Sequence, residues 1–138
     1  MIGLDTNILA RYYIDDASDS ESIKQREAAR RLIESGSALM VCKTVLLELE
    51  WVMRGYYEFS PEAIASVFNH LLAMPHIHIE ERVVVQTALI HYQAGLDFAD
   101  ALHHASYQQC TAMASFDDRR FARRVKKMAL IPHVIVPK

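Results

Sequence analysis

MIGLDTNILA, residues 1–10, sets a short apolar run before Asp5-Thr6-Asn7 and then returns to apolar residues. Read as a strand over residues 1–4, the run leaves Asp5 at the strand's carboxyl end. Open α/β sheets place ligands and chemistry at that end. A helix over residues 6–14 follows. One acid at a strand end decides little, so the rest of the chain must show whether the strand–acid–helix pattern returns.

It does. Residues 15–22, DDASDSES, read as an acidic loop leading to a helix over 21–35, with Gly36 placed to end it. ALMVC (38–42) reads as a buried strand, and residues 44–54 as a mostly buried helix with Thr44 at its N-cap. Ser60-Pro61 is an N-cap followed by proline at the first helical position, and that helix runs to residue 73. HIHI (76–79) alternates as a strand does. A helix over 81–94 ends at Gly95, and Asp97 caps another over 98–109. TAMAS (111–115) reads as a strand, 117–128 as a helix and HVIV (133–136) as a final strand. Such alternation predicts an α/β fold with a short-stranded, mainly parallel central sheet flanked by helices on both faces. The length of 138 residues suits one domain, taken as residues 1–138.

Composition narrows the class. Apolar residues make up 51% and charged residues 23%, as in globular proteins. The net charge of −2 does not announce a nucleic-acid binder, so any such role must rest on a local patch. Cys42 and Cys110 make no disulfide framework and read as buried free thiols, which suits a reducing cytoplasm. No signal-peptide pattern is expected, and the longest unbroken apolar run, 38–42, is too short to cross a membrane.

Four acids fall on four segments. Asp5 and Asp117 follow strands, although Asp117 and Asp118 also suit helix capping. Glu48 has Thr44, Val45, Trp51 and Val52 as helical neighbours and is read as facing an apolar side. Glu50 pairs with Arg54 at i,i+4 as an exposed ion pair. Asp100 lies in the first turn of a helix that Asp97 already caps. If Asp5, Glu48, Asp100 and Asp117 converge, no Lys or Arg is spaced to neutralise all four. A hard dication with oxygen ligands then fits best, Mg²⁺ or Mn²⁺, polarising a phosphodiester and activating water.

LDTNIL, LLELEWVM, DFADALHHA and ASFDDRRFAR, in this order, resemble the motifs of a PIN-domain ribonuclease. The likeness is greatest to the VapC toxins of bacterial toxin–antitoxin pairs and spans residues 1–136. It implies an α/β/α sandwich and catalytic acids at Asp5, Glu48, Asp100 and Asp117. Asp5, Asp100 and Asp117 would ligate Mg²⁺, with Glu48 acting through water and Mn²⁺ able to substitute. Thr6, Asn7 and Ser115 match supporting polar positions. It further implies a homodimeric toxin that cleaves RNA and is covered by a VapB-like antitoxin. Asp97 and Asp118 are extra carboxylates.

DDRRFARRVKKM places Arg119, Arg120, Arg123, Arg124 and Lys127 on one helical face and Phe121, Val125 and Met128 on the other. The basic face is a candidate grip on an RNA backbone, or merely a solvated surface; Arg11, Lys43 and Arg82 are possible additions. His104, one turn after Asp100, is a candidate substrate contact. His76, His78, His103 and His104 have no cysteine at zinc spacing. Trp51, Tyr56 and Tyr57 read as core or dimer contacts. Two rivals stay open: a phosphoacceptor or phosphatase domain using Asp5, whose pattern wants an acid where Asn7 stands, and a non-catalytic PIN-like binding module.

Overall fold

A computed structural model describes residues 1–16 and 18–138. Ala17, within the stretch expected to be a loop, lies outside the described residues. The chain packs as two compact units, Met1–Arg82 and Val83–Lys138.

In the first unit, β1 (Ile2–Gly3) ends just before Asp5, whose extended backbone and side chain cap α1 (Thr6–Tyr13). Asp19 caps α2 (Ser20–Ile33) by accepting from Ser22 N at 2.7 Å, and Gly36 leaves the helix at φ +83°, a conformation open to glycine. Next come β2 (Leu39–Val41), α3 (Lys43–Trp51) and a π-helical turn, Val52–Tyr56. α4 (Pro61–Ala73) starts as expected, with Ser60 Oγ accepting from Ala63 N at 3.2 Å. β3 (Ile77–Ile79) completes a three-stranded sheet in the order β1-β2-β3, parallel throughout. Its core is Leu39, Val41, Ile77 and Ile79, with His78 pointing outward, as the alternation predicts.

Thr44 does not cap α3. The cap position falls on Cys42, which makes no side-chain capping bond. A carboxylate from the neighbouring strand end substitutes: Glu80 Oε1 accepts from Lys43 N at 2.8 Å. A helix start with no cap of its own is thereby satisfied by tertiary contact.

In the second unit, α5 (Arg82–Gln93, its first residue closing the first unit) buries Val85, Ala88, Leu89 and Tyr92 at helical spacing. Asp97 Oδ2 accepts from Asp100 N at 3.1 Å and caps α6 (Phe98–Ser106). β4 (Ala112–Ala114) leads through a π-helical turn (Asp118–Ala122) into α7 (Arg123–Lys127), and β5 (His133–Ile135) pairs parallel with β4. The helix expected over 117–128 is therefore a wide turn first and an α-helix only from Arg123. Phe98, Phe121 and Val125 are fully buried, and Tyr92 packs edge-on to Phe98. All described strand pairings are parallel, in two sheets of three and two strands.

Neither thiol is buried as expected: Cys42 is half-buried and Cys110 exposed, and neither forms a disulfide. Trp51, 62% exposed, and Tyr56 are not core residues either, while half-buried Tyr57 donates to Asp16 Oδ2 at 3.2 Å. Among the described residues, no helix is long and apolar enough to cross a membrane.

Candidate active site

Asp5 stands where β1 gives way to α1. Its Oδ1 accepts from Thr6 N at 2.8 Å, so one oxygen serves the helix. The other has no hydrogen bond among the described residues, and the side chain is exposed. Thr6 beside it is buried, and its Oγ1 has no partner among the described residues. Buried hydroxyls are rarely left so. Asn7 is exposed.

Glu48 reverses its expectation. It is exposed on α3, whereas Glu50 is the buried acid, its side chain 3% exposed. Glu50 does pair with Arg54, at 2.9 Å, but as a buried carboxylate held by a half-exposed guanidinium. At the carboxyl ends of β2 and β3, Lys43 Nζ pairs with Glu81 at 2.8 Å, which leaves this lysine engaged.

The second unit gathers its acids. Asp117 caps the turn after β4, Oδ1 accepting from Arg120 N at 2.9 Å, while its own N–H donates to Ser115 Oγ at 3.1 Å. Ser115 thus holds the Asp117 backbone. Half-buried Asp100 accepts no hydrogen bond on its carboxylate among the described residues. Burial and the neighbouring charges of Asp97 and Asp117 push its carboxyl above the usual range, against the pull of His103 and Arg124. Asp97, Asp100 and Asp117 therefore share one electrostatic neighbourhood. Asp118 does not share the capping; it pairs with Arg123 at 2.9 Å.

His104 is not a substrate contact. It is fully buried, donates from Nε2 to the Pro132 carbonyl and meets Phe121 edge-on, so it is a core histidine. Arg82 is equally structural, donating to the Leu72 and Ile77 carbonyls at 2.8 and 3.0 Å. Arg11 donates to Gln25 at 2.9 Å. The basic strip divides as well. Arg123 is tied to Asp118, and Arg124 donates to the Gly95 carbonyl at 3.3 Å. The side chains of Arg119, Arg120 and Lys127 are exposed and unpaired among the described residues. Phe121 and Val125 hold the apolar side as expected, with Met128 half-buried.

The four predicted acids divide between the units: Asp5 and Glu48 in the first, Asp100 and Asp117 in the second. Among the described residues, no three His, Cys, Asp or Glu side chains are grouped to hold a metal ion. Within the second unit the donor chemistry nevertheless suits a hard cation: Asp117 keeps an uncommitted carboxylate oxygen and Asp100 keeps two. Elsewhere, a groove of 630 Å³ in the first unit is lined by Tyr12, Tyr13, Arg30, Glu34 and His70 and holds none of these acids. Sequence reasoning passed over Phe116, exposed next to Asp117, and over Glu80, whose place directly after a strand was the available signal.

Comparison with known proteins identifies the family. The PIN domain family matches residues 2–127, a span containing all four acids. No curated protein matches the chain. The chain belongs to the PIN-domain family, whose members are typically nucleases.

Proposed function

We propose that this protein is a Mg²⁺-dependent endoribonuclease, the VapC-type toxin of a type II toxin–antitoxin pair. The observation that carries the reading is the family match over residues 2–127, a span that includes Asp5, Glu48, Asp100 and Asp117 on four separate segments. The reading assigns these four acids to one catalytic centre. Asp5, Asp100 and Asp117 would ligate the cation directly and the exposed Glu48 through water. A bound Mg²⁺, or Mn²⁺ in its stead, supplies charge that polarises the phosphodiester and lowers the pKa of an attacking water.

The chain's own residues do the rest. Asp5 and Asp117 spend one oxygen each on a helix or turn N-terminus, which fixes the carboxylate and aims the other oxygen. Ser115 holds the Asp117 backbone, and the unpartnered Thr6 Oγ1 offers a place for an ordered water. Unpaired Arg119, Arg120 and Lys127 grip the phosphate backbone without reading sequence. A homodimer, a VapB-like antitoxin and a cytoplasmic setting belong to the same proposal.

The test is cleavage of single-stranded RNA by the purified chain with Mg²⁺, Mn²⁺ or chelator, alongside Asp5→Asn and Asp100→Asn. The expected result is activity with either metal, none in chelator and a loss of at least about 100-fold in each variant. Cleavage that survives chelation and both substitutions refutes the metal-dependent acidic centre, and the absence of any cleavage refutes the nuclease. Growth arrest on expression, relieved by a co-expressed antitoxin, tests the toxin role.

A further inference from the structure

Of five phenylalanines, Phe68, Phe98 and Phe121 are buried and Phe59 is half-buried, but Phe116 is 82% exposed. Its place is specific. It lies between Ser115 and Asp117, on the connection from β4 to the wide turn. The backbone is fixed on both sides of it. Ser115 N donates to the Ile135 carbonyl at 3.0 Å, and Asp117 N donates to Ser115 Oγ at 3.1 Å. Asp117 accepts from Arg120 N through Oδ1 and from Ala122 N through its carbonyl, at 2.9 and 3.0 Å. An aromatic ring is thus presented to solvent from a pinned segment, next to a carboxylate of the proposed centre. Three and four residues on, Arg119 and Arg120 are exposed with no acidic partner among the described residues.

We propose that Phe116 is a stacking platform for a nucleobase of single-stranded RNA bound at this site, a positioning role that rests on the ribonuclease reading above. Aromatic rings beside unpaired cations are how proteins hold single strands: the ring takes the base and the cations take the backbone. The unpaired arginines favour a polyanionic occupant over an apolar protein surface. A stacked base requires an unpaired strand, because bases within an RNA duplex do not expose a face. The ring therefore selects single-stranded substrate and holds the nucleotide beside Asp117, with little preference among the four bases.

The test uses the full chain carrying Asp100→Asn, so that RNA stays uncut, and measures binding of short single-stranded oligoribonucleotides and of the same backbone lacking bases. Phe116→Ala is expected to weaken binding of the base-bearing strand about 5- to 150-fold and to leave the abasic strand unchanged. Phe116→Trp, in a chain also carrying Trp51→Phe, is expected to bind within about two-fold of its parent and to show quenched emission on stacking. Equal binding by Phe116→Ala, equal weakening toward both strands, or conversion of a dimer to a monomer by that substitution each overturns the proposal; the last result makes Phe116 an interface residue. The two readings fail separately. An unsubstituted chain that cleaves RNA while Phe116→Ala keeps its KM and binding sinks the platform alone. A chain without metal-dependent cleavage sinks the nuclease, whatever the binding shows.

Discussion

Asp117 has two readings that one pair of substitutions separates. As a cap, it accepts from Arg120 N through Oδ1 at 2.9 Å; as a ligand, it offers Oδ2. Asp117→Ala removes both, and loss of a cap costs about 1 kcal/mol. In a chain of this size that corresponds to about 3–5 °C in Tm. Asparagine keeps an Oδ1 acceptor and caps nearly as well as aspartate, so Asp117→Asn is expected within a few tenths of a kcal/mol of the parent. Its activity behaves differently. Replacing the partner of a metal ligand typically costs 10- to 100-fold, so replacing a ligand is expected to cost at least about 100-fold. Both variants should therefore lose cleavage, while only the alanine loses stability. Thermal unfolding and initial rates of RNA cleavage in Mg²⁺ are the measurements. An asparagine variant that cleaves as the parent does makes Asp117 a cap and nothing more. An asparagine variant as unstable as the alanine one refutes the capping argument instead.

Arg54→Ala leaves Glu50 buried without its cation. Stranding a buried charge costs about 3–5 kcal/mol, and the half-exposed guanidinium reduces this to about 2 kcal/mol, read as a lower urea midpoint with an unchanged m-value. Burial, reinforced by His104, lowers the His91 pKa below its ordinary 6.5. The native state then binds fewer protons than the unfolded chain between that lowered value and 6.5. Stability should be complete above about pH 6.5 and fall as pH drops through this window, with His91→Gln flattening the profile of urea midpoints. Removing Arg119 and Arg120 together is expected to reduce the slope of log K for RNA against log salt by about 2, whereas Arg123→Ala, already tied to Asp118, changes it by less.

The order of elements was legible because each rests on local chemistry. Short apolar runs bounded by capping residues predict all five described strands, and Ser60-Pro61 and Asp97 mark helix starts that the structure keeps, whereas α2 ends at Ile33, ahead of Gly36. Which strands pair was not legible, since parallel neighbours are joined through helices and share no turn signal. The ends of α3 and α6 also drifted. Nothing in the residues 52–56 announces a π-helical turn, and α6 stops at Ser106, three residues short of its expected end.

The site shows where wheel counting stops working. Counting Trp51 among its helical neighbours turns Glu48 toward an apolar side, yet Trp51 is itself 62% exposed. Glu50 sits between Leu46 and Met53, which are buried, and so it goes inward with them. Periodicity finds the apolar stripe, but only tertiary packing decides which large side chain belongs to it. His104 fails for a related reason: it shares a helix face with Asp100, and that face runs from a half-buried edge into the core within one turn. For Asp5 and Asp117 the capping bond does not exclude a second role. A strand that turns directly into a helix needs an acceptor at the junction, and a carboxylate meets that need with one oxygen while leaving the second free. Capping alone does not demand this, since serine caps at Ser60 as aspartate does at Asp19 and Asp97, so the free oxygen at Asp5 and Asp117 is what the proposed cation would use.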